Sequence, residues 1–293
     1  MVIKKNLICF GVFCLCSILL TGCISDVDID KQLDEEEKLV LYCRLCPQIE
    51  TTSVYLTHTT MLFNTYTDEP SAPVAGAIVE LSSDKVHWTR AHYDNIQQRY
   101  LLPQSEFRIE NGVTYYIRAS HPDFEEISAE CTVPHIRDID LQFINEQAIN
   151  DTHYGETFDF SHIDHYLQWK DYPGEENRYM FIIGNPDPES SSLWHSLGIV
   201  YLIDNKEYTY IFSDEGRDGQ TIKCYYSTEY ENKVDEENIR FGVVFLDKNC
   251  YNYEKSRIES DNSMEFFMLE PLHFYNNIEN GYGLFGACSI TTE

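Results

Sequence analysis

The chain is short of positive charge: 21 lysines and arginines stand against 49 aspartates and glutamates, for a net charge of −28. A surface of that sign repels phosphate backbones and anionic lipid head groups, which argues against nucleic acid as a partner. Long hydrophobic runs are also missing. The most apolar stretch, Leu7–Leu20, falls short of the roughly 20 residues needed to cross a ~30 Å hydrocarbon core as a helix. No Gly-x-Ser-x-Gly elbow, phosphate-binding loop or His-Glu-x-x-His helix occurs. Nucleophilic-serine, P-loop nucleotide and zinc-protease chemistries therefore have no starting point. No internal repeat is visible at the roughly 20–50-residue period of solenoids. Carboxylates are so numerous that a glycosidase pair can be drawn almost anywhere, so their presence selects nothing. The expectation is a protein without catalytic residues, cofactor or metal.

What is present begins at the N-terminus. Lys4 and Lys5 precede the apolar run, which ends in Leu20-Thr21-Gly22-Cys23. This is the pattern of a lipoprotein signal, with small residues before a cysteine whose thiol takes a diacylglycerol. Residues 1–22 are expected to be removed, leaving a lipidated Cys23 held by two or more acyl chains at ~0.8 kcal/mol per buried methylene. Removal takes away Lys4 and Lys5 and no acid, so the mature chain is more acidic still. Behind the anchor, residues 23–37 form an acidic tether with few apolar side chains. Its Ser25, Asp26, Asp28 and Asp30 resemble the tag that directs Bacteroidota lipoproteins to the outer face of the outer membrane.

Cys9, Cys14 and Cys16 leave with the signal, so Cys43, Cys46, Cys131, Cys224, Cys250 and Cys288 remain. An even number in an oxidising compartment permits disulfides. Cys224 and Cys250 flank predicted strands of one half and are a candidate pair. Cys43-Arg44-Leu45-Cys46 has redox spacing, but Leu39, Leu41, Cys43 and Leu45 alternate as in a strand. Positions i and i+3 of a strand point to opposite faces, roughly 10 Å apart, and Pro47 opposes the helix that a redox motif starts.

Strand signals recur along the whole chain. They fall at 38–46, 52–63, 74–82, 98–102, 113–120 and 126–133, then at 140–144, 156–160, 165–170, 178–184, 198–203, 208–213, 220–227 and 239–247. The expected fold is mainly β: an immunoglobulin-like or transthyretin-like β-sandwich at 38–135, then a second β-rich sandwich or barrel-like domain at 136–293. One helix is predicted near 249–259. Gly112 reads as a turn leading into a strand in which Tyr115 acts as a corner tyrosine. The acidic stretch 229–238 reads as an exposed loop.

Three constellations invite chemistry. His162, Asp164 and His165 cluster, but histidines at i and i+3 of a strand diverge and no third ligand is evident. Asp214–Gly219 opens like a calcium loop, yet Gly216 stands at the third position and Tyr225 at the twelfth, so a hairpin turn is expected. Trp88, Trp169 and Trp194 suit sugar stacking, although sandwich packing explains them as well.

The C-terminal segment is the most distinctive. Phe266 to Pro271 is followed by Asn277, Glu279, Asn280, Gly281, Gly283, Phe285 and Gly286, where the glycines imply tight turns or close backbone approach. Taken with the lipobox, Val74–Val79, Gly112–Tyr115, Ala129–Pro134 and Asn177–Tyr179, this ending resembles the Bacteroidota lipoprotein family called domain of unknown function 4249. Arg178 departs from the family pattern, in which a second aromatic is common. Members are typically encoded beside TonB-dependent receptors. The resemblance therefore implies an outer-membrane, surface-exposed accessory or binding lipoprotein, with such a receptor as partner and a small molecule, peptide or glycan as ligand. It supplies no catalytic residue. A fimbrial or adhesive subunit is the alternative, and a surface hydrolase the less supported one. The C-terminal segment is expected to close the second sandwich rather than to serve as a docking surface.

Overall fold

Alternation decides the first strand. In β1 (Leu39–Leu45), Leu39, Leu41, Cys43 and Leu45 are buried while Val40, Tyr42 and Arg44 are half-buried, so one edge of the pleat faces a core. The computed structural model describes residues 37–59, 72–135, 151–153, 156–158, 161–184, 200–202, 207–230, 240–264 and 274–292. After β1 come β2 (Thr51–His58), β3 (Ile78–Ser82), β4 (Thr89–Arg90), β5 (His92–Asp94), β6 (Arg99–Pro103), β7 (Thr114–His121) and β8 (Phe124–Thr132). Next are β9 (Asp151–His153), β10 (Glu156–Phe158), β11 (Ser161–Lys170), β12 (Arg178–Gly184), β13 (Val200–Leu202), β14 (Glu207–Thr209) and β15 (Ile211–Ser213). The chain ends with β16 (Thr221–Tyr230), β17 (Arg240–Leu246), the helix α1 (Lys248–Met264) and β18 (Tyr282–Thr292). The expected mainly-β fold with one helix is what the described residues form. Their sheets are open, with no closed barrel among them.

An eight-stranded sheet organises the molecule in the order β15-β12-β17-β18-β1-β2-β6-β5. The last strand, β18, sits inside it, parallel to β1 and antiparallel to β17. This arrangement runs across the expected boundary at 135/136. Strands from both sides of that point share one sheet, and residues 37–293 form a single compact unit. The physical reason is the β1–β18 ladder, which runs from Val40↔Tyr282 to Leu45↔Ala287 and hydrogen-bonds the two halves together.

Register assigns the two faces. Residues directly opposite share a face, so Cys43, Phe285, Ser289, Phe245 and Tyr179 lie on one side. There the β1, β2 and β6 region packs on the sheet β4-β3-β7-β8 through Leu41, Leu56, Leu102, Leu81, Ile117, Ile127 and their neighbours. Farther along the same side, Trp169 of β11 meets Tyr179 at 5.4 Å and Phe212 at 5.9 Å between ring centroids. The opposite side carries Met180, Val244, Leu246, Leu284, Cys288 and Ile290, and it is covered by α1 through Cys250, Tyr251, Tyr253 and Ile258. Tyr115 is the corner tyrosine expected: its hydroxyl donates to Arg108 O (3.0 Å) and accepts from Glu110 N (2.7 Å). Among the described residues, no helix is long and apolar enough to cross a membrane.

Candidate functional site

The predicted anchor residues Leu20, Thr21, Gly22 and Cys23 and the tag residues Ser25, Asp26, Asp28 and Asp30 lie outside the described residues, as do strand 140–144, Trp194 and loop residues 231–239. The histidines of the His162–His165 cluster belong to β11, opposite Glu229 and Tyr226 of β16, and their side chains are likewise outside the description.

The C-terminal signature is brought together and closely packed. A Cβ at Gly281 would stand 2.6 Å from Leu39 O, and one at Gly286 would stand 2.5 Å from Cys250 Sγ. At Gly283, where φ is +119°, a Cβ would overlap the Leu41 carbonyl. Asn277 clamps Phe285 by donating Nδ2 to its carbonyl (2.8 Å) and accepting its N–H (3.0 Å). Glu279 exchanges backbone bonds with Ser128, and Asn280 donates to Glu126 O. Gly283 and Gly286 therefore sit in β18 and Gly281 in the bend just before it, each where a neighbouring backbone or the Cys250 sulfur comes too close for a side chain.

Cys224 and Cys250, the candidate disulfide, are both free. Cys224 is on β16, in the sheet that carries Trp169's partner strand, whereas Cys250 is on α1 against the other face of the large sheet. With the sheet between them, they do not pair. Cys43 and Cys46 point to opposite faces, as the strand reading requires.

Two adjoining features form the best candidate site. The first is a carboxylate cluster, in which Asp171, Asp214 and Asp218 bring oxygens within 4.8 Å of one another. Asp171 follows β11, and the other two belong to the turn between β15 and β16. That turn links two different sheets, so it is a crossing and not the hairpin expected from the sequence. Tyr179 donates its hydroxyl to Asp171, which also accepts Gly219 N–H (2.8 Å). Asp214 accepts Asn177 N–H (2.9 Å), and Asp218 accepts Gly174 N–H (2.7 Å). Burial, with the neighbouring Asp171 and Asp218 charges adding to it, raises the Asp214 pKa. Burial likewise holds the Tyr179 hydroxyl protonated, aided by its bond to Asp171. Three converging carboxylates are hard oxygen ligands of the kind calcium takes. The backbone donors account for this cluster as a clasp between loops 171–177 and 214–219.

The second feature is a cleft of ≈ 360 Å³ between this turn and α1. Ile211, Phe212 and Ile258 give it an apolar floor, Tyr251 an aromatic wall, and Arg217 and Lys255 positive charge set against Glu215 and Glu259. The Arg178 guanidinium lies 5.9 Å from the Tyr251 ring, a cation–π approach that fixes one side. Sequence reasoning missed the cleft because Arg217 and Lys255 belong to segments that meet only in the fold. Of the tryptophans, Trp169 is core, and Trp88 is covered by Arg118 at 4.2 Å.

The chain belongs to the family described as Domain of unknown function (DUF4249), whose family model matches residues 24–293. No curated protein matches the chain.

Proposed function

We propose that this protein is a lipid-anchored accessory of an outer-membrane uptake receptor, tethered through Cys23 and displayed at the cell surface. The observation that carries the reading is the order of segments. A lipobox and an acidic tag lead directly into one compact unit that starts at residue 37. The family's usual company of TonB-dependent receptors supplies the partner class. The mixed-charge cleft of Arg217, Lys255 and Tyr251 is the surface we assign to a polar small-molecule, peptide or glycan ligand. Binding rather than catalysis suits it, because the nearby Asp171, Asp214 and Asp218 are engaged by backbone donors.

The adhesive alternative has less support. A strand-exchange subunit leaves a gap for its neighbour's strand, whereas here β18 occupies the place between β17 and β1. The decisive experiment solubilises the native lipoprotein in mild detergent and identifies co-purifying proteins by mass spectrometry. A TonB-dependent receptor in equal amount is the expected result. Recovery of the lipoprotein alone, under conditions that keep other outer-membrane complexes intact, would overturn the reading.

A further inference from the structure

Beyond the receptor reading, and independent of it, the β1–β18 seam holds a pair of thiols. The parallel register ends at Leu45↔Ala287, so Cys46, the first residue after β1, comes next to Cys288 of β18. Both belong to the cluster on the helix-covered face with Met180, Leu246 and Leu284, and both are free. Adjacent strands run ≈ 4.8 Å apart, inside the 4.4–6.8 Å Cα separation that a disulfide accepts. We propose that Cys46 and Cys288 are an oxidisable pair that closes into a disulfide stapling the end of β1 to β18.

The surroundings say which sulfur reacts first. Cys288 hydrogen-bonds to the Cys46 sulfur, and the backbone amides of Gln48 and Ile49 lie close to it, so the Cys46 pKa is lowered while that of Cys288 is raised. Burial raises Cys43, Cys131, Cys224 and Cys250 instead. Among the described residues, Cys46 is thus the cysteine best placed to be a thiolate, the form that attacks disulfides. It also sits in the turn after β1, where its thiol donates to the exposed Gln48 (3.2 Å), so access requires moving a turn rather than opening the core.

The oxidant is a small-molecule or protein disulfide. The Cys46 thiolate attacks one of its sulfurs, giving a mixed disulfide and releasing one oxidant thiolate. Cys288, deprotonated, then attacks the Cys46 sulfur, forming the Cys46–Cys288 bond and releasing the second thiolate. Two electrons pass to the oxidant, and the two protons lost by the cysteines end on its released thiols. The product ties together residues far apart in sequence, and cross-links closing long loops restrict the unfolded chain most.

The test uses the purified mature chain, first reduced and then incubated with oxidised glutathione. It is denatured in iodoacetamide and digested for peptide mapping. The expected result is a linked peptide pair containing Cys46 and Cys288, two fewer alkylated cysteines than in the reduced sample, and a melting temperature higher by about 5–10 °C. Cys288→Ala should abolish both the link and the shift. Should that variant fold poorly, the wild-type peptide map decides by itself. Full alkylation of Cys46 and Cys288 after oxidation, or linkage of either to Cys250, overturns the proposal.

Discussion

The two faces of the β1–β18 seam differ in chemistry although they share the same strands. Toward the sheet β4-β3-β7-β8, Leu39, Leu41, Cys43, Leu45, Phe285 and Ala287 are fully buried in a mainly apolar cluster. Toward α1, the alternate residues Tyr42, Arg44, Cys46, Gly286 and Cys288 meet thiols, tyrosines and buried charge. Arg44 pairs there with Glu254 of α1, which also accepts a bond from Arg257 (3.0 Å). Asp247 caps the same helix by accepting Cys250 N–H (2.7 Å). The difference teaches that one face holds the fold by burial alone, while the other holds it only as long as each polar group keeps its partner.

The strongest break of this comparison acts on both faces at once. Gly283→Ala places a Cβ on the Leu41 carbonyl at a φ that L-residues rarely adopt, so we expect a loss of about 4 kcal/mol or more. The check is urea unfolding followed by tryptophan fluorescence, and the variant should be largely unfolded without denaturant. Next in size is a contrast between faces. Leu41→Ala should cost about 3 kcal/mol through a cavity in the apolar face. Glu254→Gln should cost a similar amount, about 3 kcal/mol, by leaving Arg44 buried without its carboxylate. The double variant Arg44→Met, Glu254→Leu should recover most of that second loss and would leave a Leu41→Ala defect untouched. Equal recovery in both backgrounds would dissolve the distinction.

A smaller effect concerns pH. Burial pushes Asp247 up to about 6 from 3.8, ahead of the lowering by its bonds to Cys250 and Ala287. Between those values the folded chain holds a proton that the unfolded chain has released. The contribution is therefore fully present below pH 4 and is lost as pH rises through 6. Asp247→Asn keeps a capping side chain but cannot ionise. Relative to wild type it should gain on the order of 2 kcal/mol between pH 4 and pH 8, read from urea midpoints across that range. A constant difference between the two proteins would show that Asp247 does not titrate there.

Much of this was legible in the sequence wherever the signal is local. The alternation Leu39-Leu41-Cys43-Leu45, the corner Tyr115 and the helix beginning near Lys248 each follow from nearest neighbours. What escaped is non-local. Gly281, Gly283 and Gly286 announce tight turns or close approach, but not what approaches: the Leu39 carbonyl, the Leu41 carbonyl and Cys250 of α1. Nothing local states that Cys46 meets Cys288, that Cys224 and Cys250 lie across a sheet, or that Asp171 joins Asp214 and Asp218. Parallel pairing of the first strand with the last, which carries one sheet across the expected boundary at 135/136, is non-local too.

The central claim of the fold is that β18 closes one unit out of both halves. The direct measurement deletes residues 282–293 and follows thermal unfolding together with amide hydrogen exchange of β7 and β8, which β18 does not hydrogen-bond. The account predicts that these strands of the facing sheet lose protection and the cooperative transition disappears. Retained protection over 114–132 with a sharp transition would mean that the first sandwich stands alone, and would contradict it.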